Sequence, residues 1–215
     1  MNASATIVPM EDFLESLGGI TPGRIIMRPA PGTATEADVI AALEAPRKRI
    51  CELIDGTLVE KAMGFKESQL SVLLSELLGA FVRTRNLGIV TAPDGTIRLW
   101  PGRVRIPDLA FTSWDRMPGR TRPHDAIPEI SPNLAIEILS KSNTNREMEL
   151  KRIDYFTSGV QVVWEIDPED RTVAVYTGIH DATDLVITDT LSGDPVLPGF
   201  SISLADMFAE LDRHG

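Results

Sequence analysis

The chain has 215 residues, 43% of them hydrophobic and 24% charged, enough for one globular domain with a sizeable core. Its 21 basic and 31 acidic residues give a formal net charge of −10, which opposes non-specific attraction to a polyanion. Cys51, without a second cysteine, excludes an internal disulfide and any cysteine-based zinc cluster, and no apolar run approaches the roughly 20 residues of a membrane span. The opening MNASATIVPMEDF has neither a basic n-region nor an apolar h-region, so a cytoplasmic location away from membranes is expected.

Residues 1–45 read as an N-terminal extension with short helices, one over Met10 to Leu17 and one over Thr35 to Leu43, separated by Gly and Pro breaks. The remainder, 46–215, reads as the main domain. Arg49 to Lys61, RICELIDGTLVEK, predicts a hairpin around Asp55-Gly56, a dipeptide suited to a type I′ turn. Glu52 shares strand parity with Ile54: it points inward if Ile54 faces the core, and outward if the strand is an edge.

From Glu67 to Arg85, leucines at helical spacing predict a long amphipathic helix, with Glu67 near its N-terminus where the macrodipole favours a carboxylate. Strands are expected over Gly88 to Ala92 and Thr96 to Trp100. In RVRIPDLAFT, Arg103 to Thr112, Pro107 predicts a departure from the ladder that a bulge would use to aim Asp108 sideways. Ser113 to Pro132, which holds His124, is long, polar and Pro-rich, the composition of a flap.

Leu134 to Leu139 predicts a buried strand in which Glu137 is the anomaly, since an unpaired buried carboxylate costs several kcal/mol, on the order of a whole domain's margin of stability. A helix follows, with Thr144 and Glu147 as its capping box and Gly159 past its end, and then a strand over Val160 to Ile166. The succession is a βαβ unit with a parallel pair. On the helix, Met148, Lys151, Arg152 and Tyr155 share a face, so Glu137 and Lys151 are expected to meet at one end of a sheet, with Lys151 half buried and replaceable by Met at little cost to folding.

Two carboxylates from neighbouring strands, Asp108 and Glu137, can grip a hard divalent cation, and a nearby ammonium can stabilise charge on a phosphoryl group. That equipment suits phosphodiester hydrolysis.

The segments ELIDGTLVEK, IPDLAFTS, LAIEILSKS, KRIDYFTSGVQVVWEIDP and PVLPGFSISLADMF occur in the order found in the Uma-two family of putative restriction endonucleases, within the PD-(D/E)XK nuclease superfamily, which the chain resembles from about Ile50 to Phe208. The resemblance implies an α/β, restriction-endonuclease-like fold: a mixed, bent sheet with the long helix on one face and the 144–158 helix on the other. It implies magnesium, with manganese able to substitute, held by Asp108, Glu137 and the backbone carbonyl of Ile138, with Glu52 as a third, weaker ligand. Asp108, Glu137 and Lys151 would be the catalytic residues, DNA the substrate and a homodimer the working form.

The chain departs from the pattern at several positions. Leu139 stands where the superfamily's E-x-K motif has its lysine, which leaves Lys151 as the substitute and Lys141, beyond the strand, as runner-up. Lys66-Glu67-Ser68 replaces a His at the start of the long helix, Cys51 an aromatic, and Val163 a glutamate. A catalytically silent dimerising or nucleic-acid-binding domain of the same fold is the alternative from a different class, and hydrolysis of a small phosphorylated molecule is a second.

Overall fold

The computed structural model describes residues 8–62 and 64–213; residues 1–7, part of the opening stretch MNASATIVPMEDF, lie outside the described residues. In chain order the elements begin with α1 (Met10–Ser16), β1 (Ile25–Ile26), α2 (Glu36–Glu44), β2 (Cys51–Ile54), β3 (Thr57–Glu60) and α3 (Phe65–Arg85). Then come β4 (Gly88–Thr91), β5 (Ile97–Trp100), β6 (Arg103–Arg105), β7 (Leu109–Ser113), β8 (Leu134–Ile138) and α4 (Asn145–Ser158). The chain closes with β9 (Val162–Asp167), β10 (Thr172–Tyr176), β11 (Ala182–Leu185), β12 (Thr190–Ser192), β13 (Ser201–Ser203) and α5 (Leu204–Ala209).

A six-stranded mixed sheet, ordered β11-β10-β9-β8-β7-β4, carries the parallel pair β8 and β9 joined through α4. A five-stranded antiparallel sheet runs β1-β3-β2-β6-β5, and β12 with β13 forms a small third sheet. Strand alternation divides the core between two faces. Leu134, Ile136 and Ile138 of β8 join Leu70, Leu74 and Leu78 of α3, whereas Ala135 joins Tyr155 of α4 and Ile97 and Leu99 of β5. The two helices therefore cover opposite faces of the six-stranded sheet. The α4 face is also closed by the five-stranded sheet.

The hairpin turns at Asp55 (φ 47°) and Gly56 (φ 71°), the two positive φ values of a type I′ turn. A Cβ at Gly56 would lie 2.7 Å from the Gly32 carbonyl, so the residue serves both the turn and the packing of the N-terminal segment against it. That segment is paired and packed: β1 adds to β3, and Leu17, Ile20 and Ile25 cluster with Ile54 and Val59.

Three local expectations change. The break at Pro107 is a crossover between sheets rather than a bulge: β6 belongs to the five-stranded sheet and β7 to the six-stranded one. The expected capping box of α4 is half made, since Thr144 Oγ1 accepts from the Glu147 N–H at 2.9 Å while the Glu147 carboxylate turns to Arg24 and Asn143. The 113–132 segment is fastened down: Met117 and Ile127 are buried, and Arg116 donates to the carbonyls of Ser131 and Pro132.

Candidate active site

The crossover of residues 106–108 places Asp108 where the two sheets meet. Each of its N–H groups finds a partner, as a buried crossing requires, and so does the Ile106 carbonyl. The Ile106 N–H donates to Glu52 Oε1 (3.1 Å), the Ile106 carbonyl accepts from Lys61 Nζ (2.5 Å), Pro107 has no N–H to satisfy, and the Asp108 N–H donates to the Ile136 carbonyl (2.9 Å). Asp108 itself uses both oxygens: Oδ2 accepts from the Ile138 N–H (2.7 Å) and Oδ1 lies 3.0 Å from Lys61 Nζ. Its carboxylate is thus aimed along the end of β8.

Glu137 lies on β8 with the parity of Ala135, so it faces α4. There Lys151 and Tyr155, one helical turn apart, meet it: Lys151 Nζ is 2.9 Å from Oε2, and the Tyr155 hydroxyl donates to Oε1 at 2.5 Å. Lys151 Nζ also lies 3.7 Å from Glu52 Oε1. Glu52 is 2% exposed on β2, which is an interior strand between β3 and β6, so its inward reading holds and the edge-strand reading falls. Arg105 closes the network, donating to Glu52 Oε2 (2.7 Å) and to Asp154 Oδ2 (2.7 Å).

Electrostatics follow from this geometry. Burial alone would raise the Glu52 carboxyl, but the charges of Lys151, Arg105 and Lys61 outweigh it and hold the group down at about 2. Burial pushes Glu137 above the usual carboxylate range, against the pull of Lys151 and Lys61. Burial would lower Lys151, yet Glu137, Glu52 and Glu147 hold its ammonium above the ordinary lysine value, so it is charged at neutral pH. Burial likewise raises the Tyr155 phenol, which keeps it a donor to Glu137.

The structure brings together Asp108, Glu137, Ile138, Glu52 and Lys151. It leaves out Lys141, whose side chain is 85% exposed and 4.0 Å from Glu169. Lys61, Tyr155 and Arg105 complete the cluster without having been singled out in the sequence. Tyr155 had a signal, its helical spacing from Lys151. Arg105 shares a strand face with Arg103 just before the Pro-Asp step, and Lys61 follows the hairpin, but neither position implies a partner so far along the chain. A further pair repeats the pattern: Glu165 on β9 is the register partner of Glu137 and is met by Arg152 at 2.6 Å.

Asp108 and Ile138 line a cleft of about 480 Å³ whose other walls include Phe65, Glu67, Ser68 and Ser71 of α3. Asp108 lines this cleft and Glu137, which faces α4, does not; together with the Ile138 carbonyl the two carboxylates offer an all-oxygen donor set of the kind that suits a hard cation keeping part of its water shell. Each carboxylate oxygen of Asp108 and Glu137 takes one hydrogen bond or ion pair, and an ionised carboxylate has about four lone-pair sites, so capacity for a cation remains. Among the described residues no group of three or more His, Cys, Asp or Glu is placed to hold a metal ion. The fit is therefore to an open, two-carboxylate site.

A solved structure from Anabaena variabilis, described as a "putative nuclease belonging to DUF820", is similar over 76% of this chain and 92% of its own, with 21% identity and a TM-score of 0.67, a likeness that speaks for the fold. A search of curated proteins gave no match. No helix among the described residues is long and apolar enough to cross a membrane. The family model described as "Uma2: Putative restriction endonuclease" matches residues 37–205, a span that contains Glu52, Asp108, Glu137 and Lys151, and the chain belongs to the Uma2 family.

Proposed function

We propose that the protein is a metal-dependent endonuclease that hydrolyses phosphodiester bonds in DNA, with magnesium, or manganese in its place, held by Asp108, Glu137 and the Ile138 carbonyl; Glu52, tied to Arg105 and the Ile106 N–H, supports the site without being a third ligand. The observation that carries this reading is the convergence of Asp108 and Glu137 on the ends of adjacent strands, with Lys151 2.9 Å from Glu137, beside a cleft open at Asp108. When bound, such a cation lowers the pKa of water and offsets charge on a phosphoryl oxygen.

The chain's own residues prepare that chemistry. The Ile138 N–H fixes one oxygen of Asp108 and so the direction of the carboxylate. Tyr155 and Lys151 hold Glu137 from two sides, and Lys151 keeps a positive charge beside the ligand pair in place of the E-x-K lysine that Leu139 cannot supply. Arg105 locks Glu52 into the same cluster, so that the site is preorganised before any ligand arrives. A homodimer belongs to the same proposal, because two sites related by a twofold axis suit a two-stranded substrate. Sedimentation equilibrium at micromolar concentration, read for mass, tests that part.

Calorimetric titration of manganese into wild type, Asp108→Ala and Glu137→Ala tests the site. Binding in wild type that is lost in both variants supports it, and equal affinity in all three removes these residues from the metal. A second reading, a silent domain that keeps the fold, is favoured by one observation: Asp108 and Glu137 are already matched by Lys61 and Lys151. It predicts no binding in any of the three.

A further inference from the structure

The cleft at Asp108 continues along α3. Ser68, Ser71 and Ser75 recur at three- and four-residue spacing, hence on one face of the helix. Ser68 and Ser71 line the cleft with Asp108, and both line a second depression with Ser75 and Arg83. A third holds Ser75, Gly79 and Arg83 together with Arg122 of the 113–132 segment. The three share wall residues in sequence and form one groove. From Ser68 to Arg83 the helix rises roughly 22 Å at 1.5 Å per residue.

Two features of this groove lack an internal explanation. Ser71 is 4% exposed and its Oγ has no hydrogen-bond partner among the described residues, although buried hydroxyls are nearly always bonded. Arg83 and Arg122 are exposed and have no ion pair among the described residues, in a chain where acidic groups are in excess by 10. The start of α3, at the Asp108 end, has no side-chain cap hydrogen bond, so backbone N–H groups of its first turn also face that end.

We propose that this groove is the track of a single polynucleotide strand, with Ser71 Oγ and Ser68 donating to phosphate oxygens near Asp108 and with Arg83 and Arg122 pairing with phosphates farther along. Serine hydroxyls and backbone N–H groups bind phosphate without adding charge, and two arginines at the far end supply the attraction that the net charge otherwise denies. The acidic rim, Glu67 and Glu76, disfavours the two closely spaced charged backbones of a duplex and tolerates one. A track of this length engages several phosphates, so the ligand is a polymer rather than a small phosphoester. The inference rests on the proposed nuclease reading for its orientation but not for its test.

The test is fluorescence anisotropy of a labelled twelve-residue deoxyoligonucleotide, single-stranded and duplex, across a salt series without divalent metal. Wild type is expected to prefer the single strand. Arg83→Ala combined with Arg122→Ala is expected to weaken single-strand binding by tenfold or more at low salt and to flatten the plot of log affinity against log salt by about one to two units. Ser71→Ala is expected to weaken binding several-fold while leaving the melting temperature unchanged, because its hydroxyl has no protein partner to lose; a serine with a merely structural role would shift the melting temperature and not the affinity. Unchanged affinity and salt slope in the double arginine variant, or tighter binding of the duplex by wild type, overturns the proposal. Arginine-dependent binding without metal-dependent cleavage would leave the track standing and remove the nuclease reading. Cleavage with arginine-independent binding would do the reverse.

Discussion

Lys151 Nζ lies 2.9 Å from Glu137 Oε2 in a pair that is 3% exposed on both sides, and the two residues reach it from a helix and the strand that precedes it. The strand alone makes Glu137 an unpaired charge in an apolar run. The helix that follows supplies the cation from a buried face that also carries Glu147, Met148, Asp154 and Tyr155. Each residue accounts for the other's burial, and Glu137 stands near enough to Asp108 for the two carboxylates to repel.

This burial changes what Lys151→Met should do. On sequence grounds the substitution would leave folding nearly intact. With Glu137 and Glu52 both dependent on this ammonium, its removal leaves buried carboxylates under-compensated, a defect that costs about 3–5 kcal/mol in comparable sites. Urea unfolding should show a loss of that size, and the fraction that remains folded should cleave roughly 100-fold more slowly. Lys141→Met, on an exposed side chain, should change neither quantity. A variant at Lys151 as stable and as active as wild type would remove the residue from the site.

Lys61 is the cation resident at Asp108. It also donates to the Ile106 carbonyl, so it has a partner to keep if a divalent ion takes over its place at Oδ1. Lys61→Met should therefore lower the melting temperature of the metal-free protein and tighten manganese binding by tenfold or more. Calorimetry together with a thermal melt reads both; weaker metal binding in the variant would show that Lys61 helps to build the site instead of competing for it.

Tyr155→Phe removes the hydroxyl that donates to Glu137 Oε1 and leaves the ring packed in place. A lost hydrogen bond to a charged acceptor costs about 1.5–3 kcal/mol. Chemical denaturation should report that loss without a change in the slope of the unfolding curve, and an unperturbed midpoint would contradict the placement of the phenol.

The link between the N-terminal segment and α4 should depend on pH. Burial would raise the Glu147 carboxyl, but hydrogen bonds and charge from Arg24, with Lys151 and Asn143 contributing, hold it below its ordinary value of 4.5. A carboxyl depressed in the folded state stabilises that state above its unfolded value and loses the contribution as pH falls through the folded one. Wild type should accordingly lose stability below about pH 4.5 more steeply than Glu147→Gln, and hydrogen exchange should show the segment around Arg24 opening first. Parallel acid limbs for the two proteins would contradict the assignment.

Much of the fold was legible because local signals and burial agree: Asp55-Gly56 gives the turn, the leucine face gives α3, and Gly159 (φ 95°) ends α4. Glu137 was legible as a site residue because a carboxylate in an apolar strand demands a partner. Lys61 and Arg105 were not, since their meaning lies in contacts with Asp108, Glu52 and Asp154, 47 to 53 positions away, that only the meeting of two sheets creates. The separate five-stranded sheet was hidden for the same reason. Pro107 announces that the ladder breaks, and nothing local says that the chain crosses to another sheet. The docking of residues 8–45 draws in part on Arg24 reaching Glu147, a pairing no periodicity reveals.

The central claim is metal-dependent cleavage at Asp108 and Glu137. Its most direct test is nicking of supercoiled and single-stranded DNA in magnesium or manganese by wild type, Asp108→Asn and Glu137→Gln, each checked for folding by circular dichroism. The account predicts metal-dependent nicking by wild type that chelation abolishes and that falls by at least about 100-fold in both folded variants. Cleavage that persists undiminished in either folded variant, or no cleavage by wild type on any DNA substrate, would contradict it.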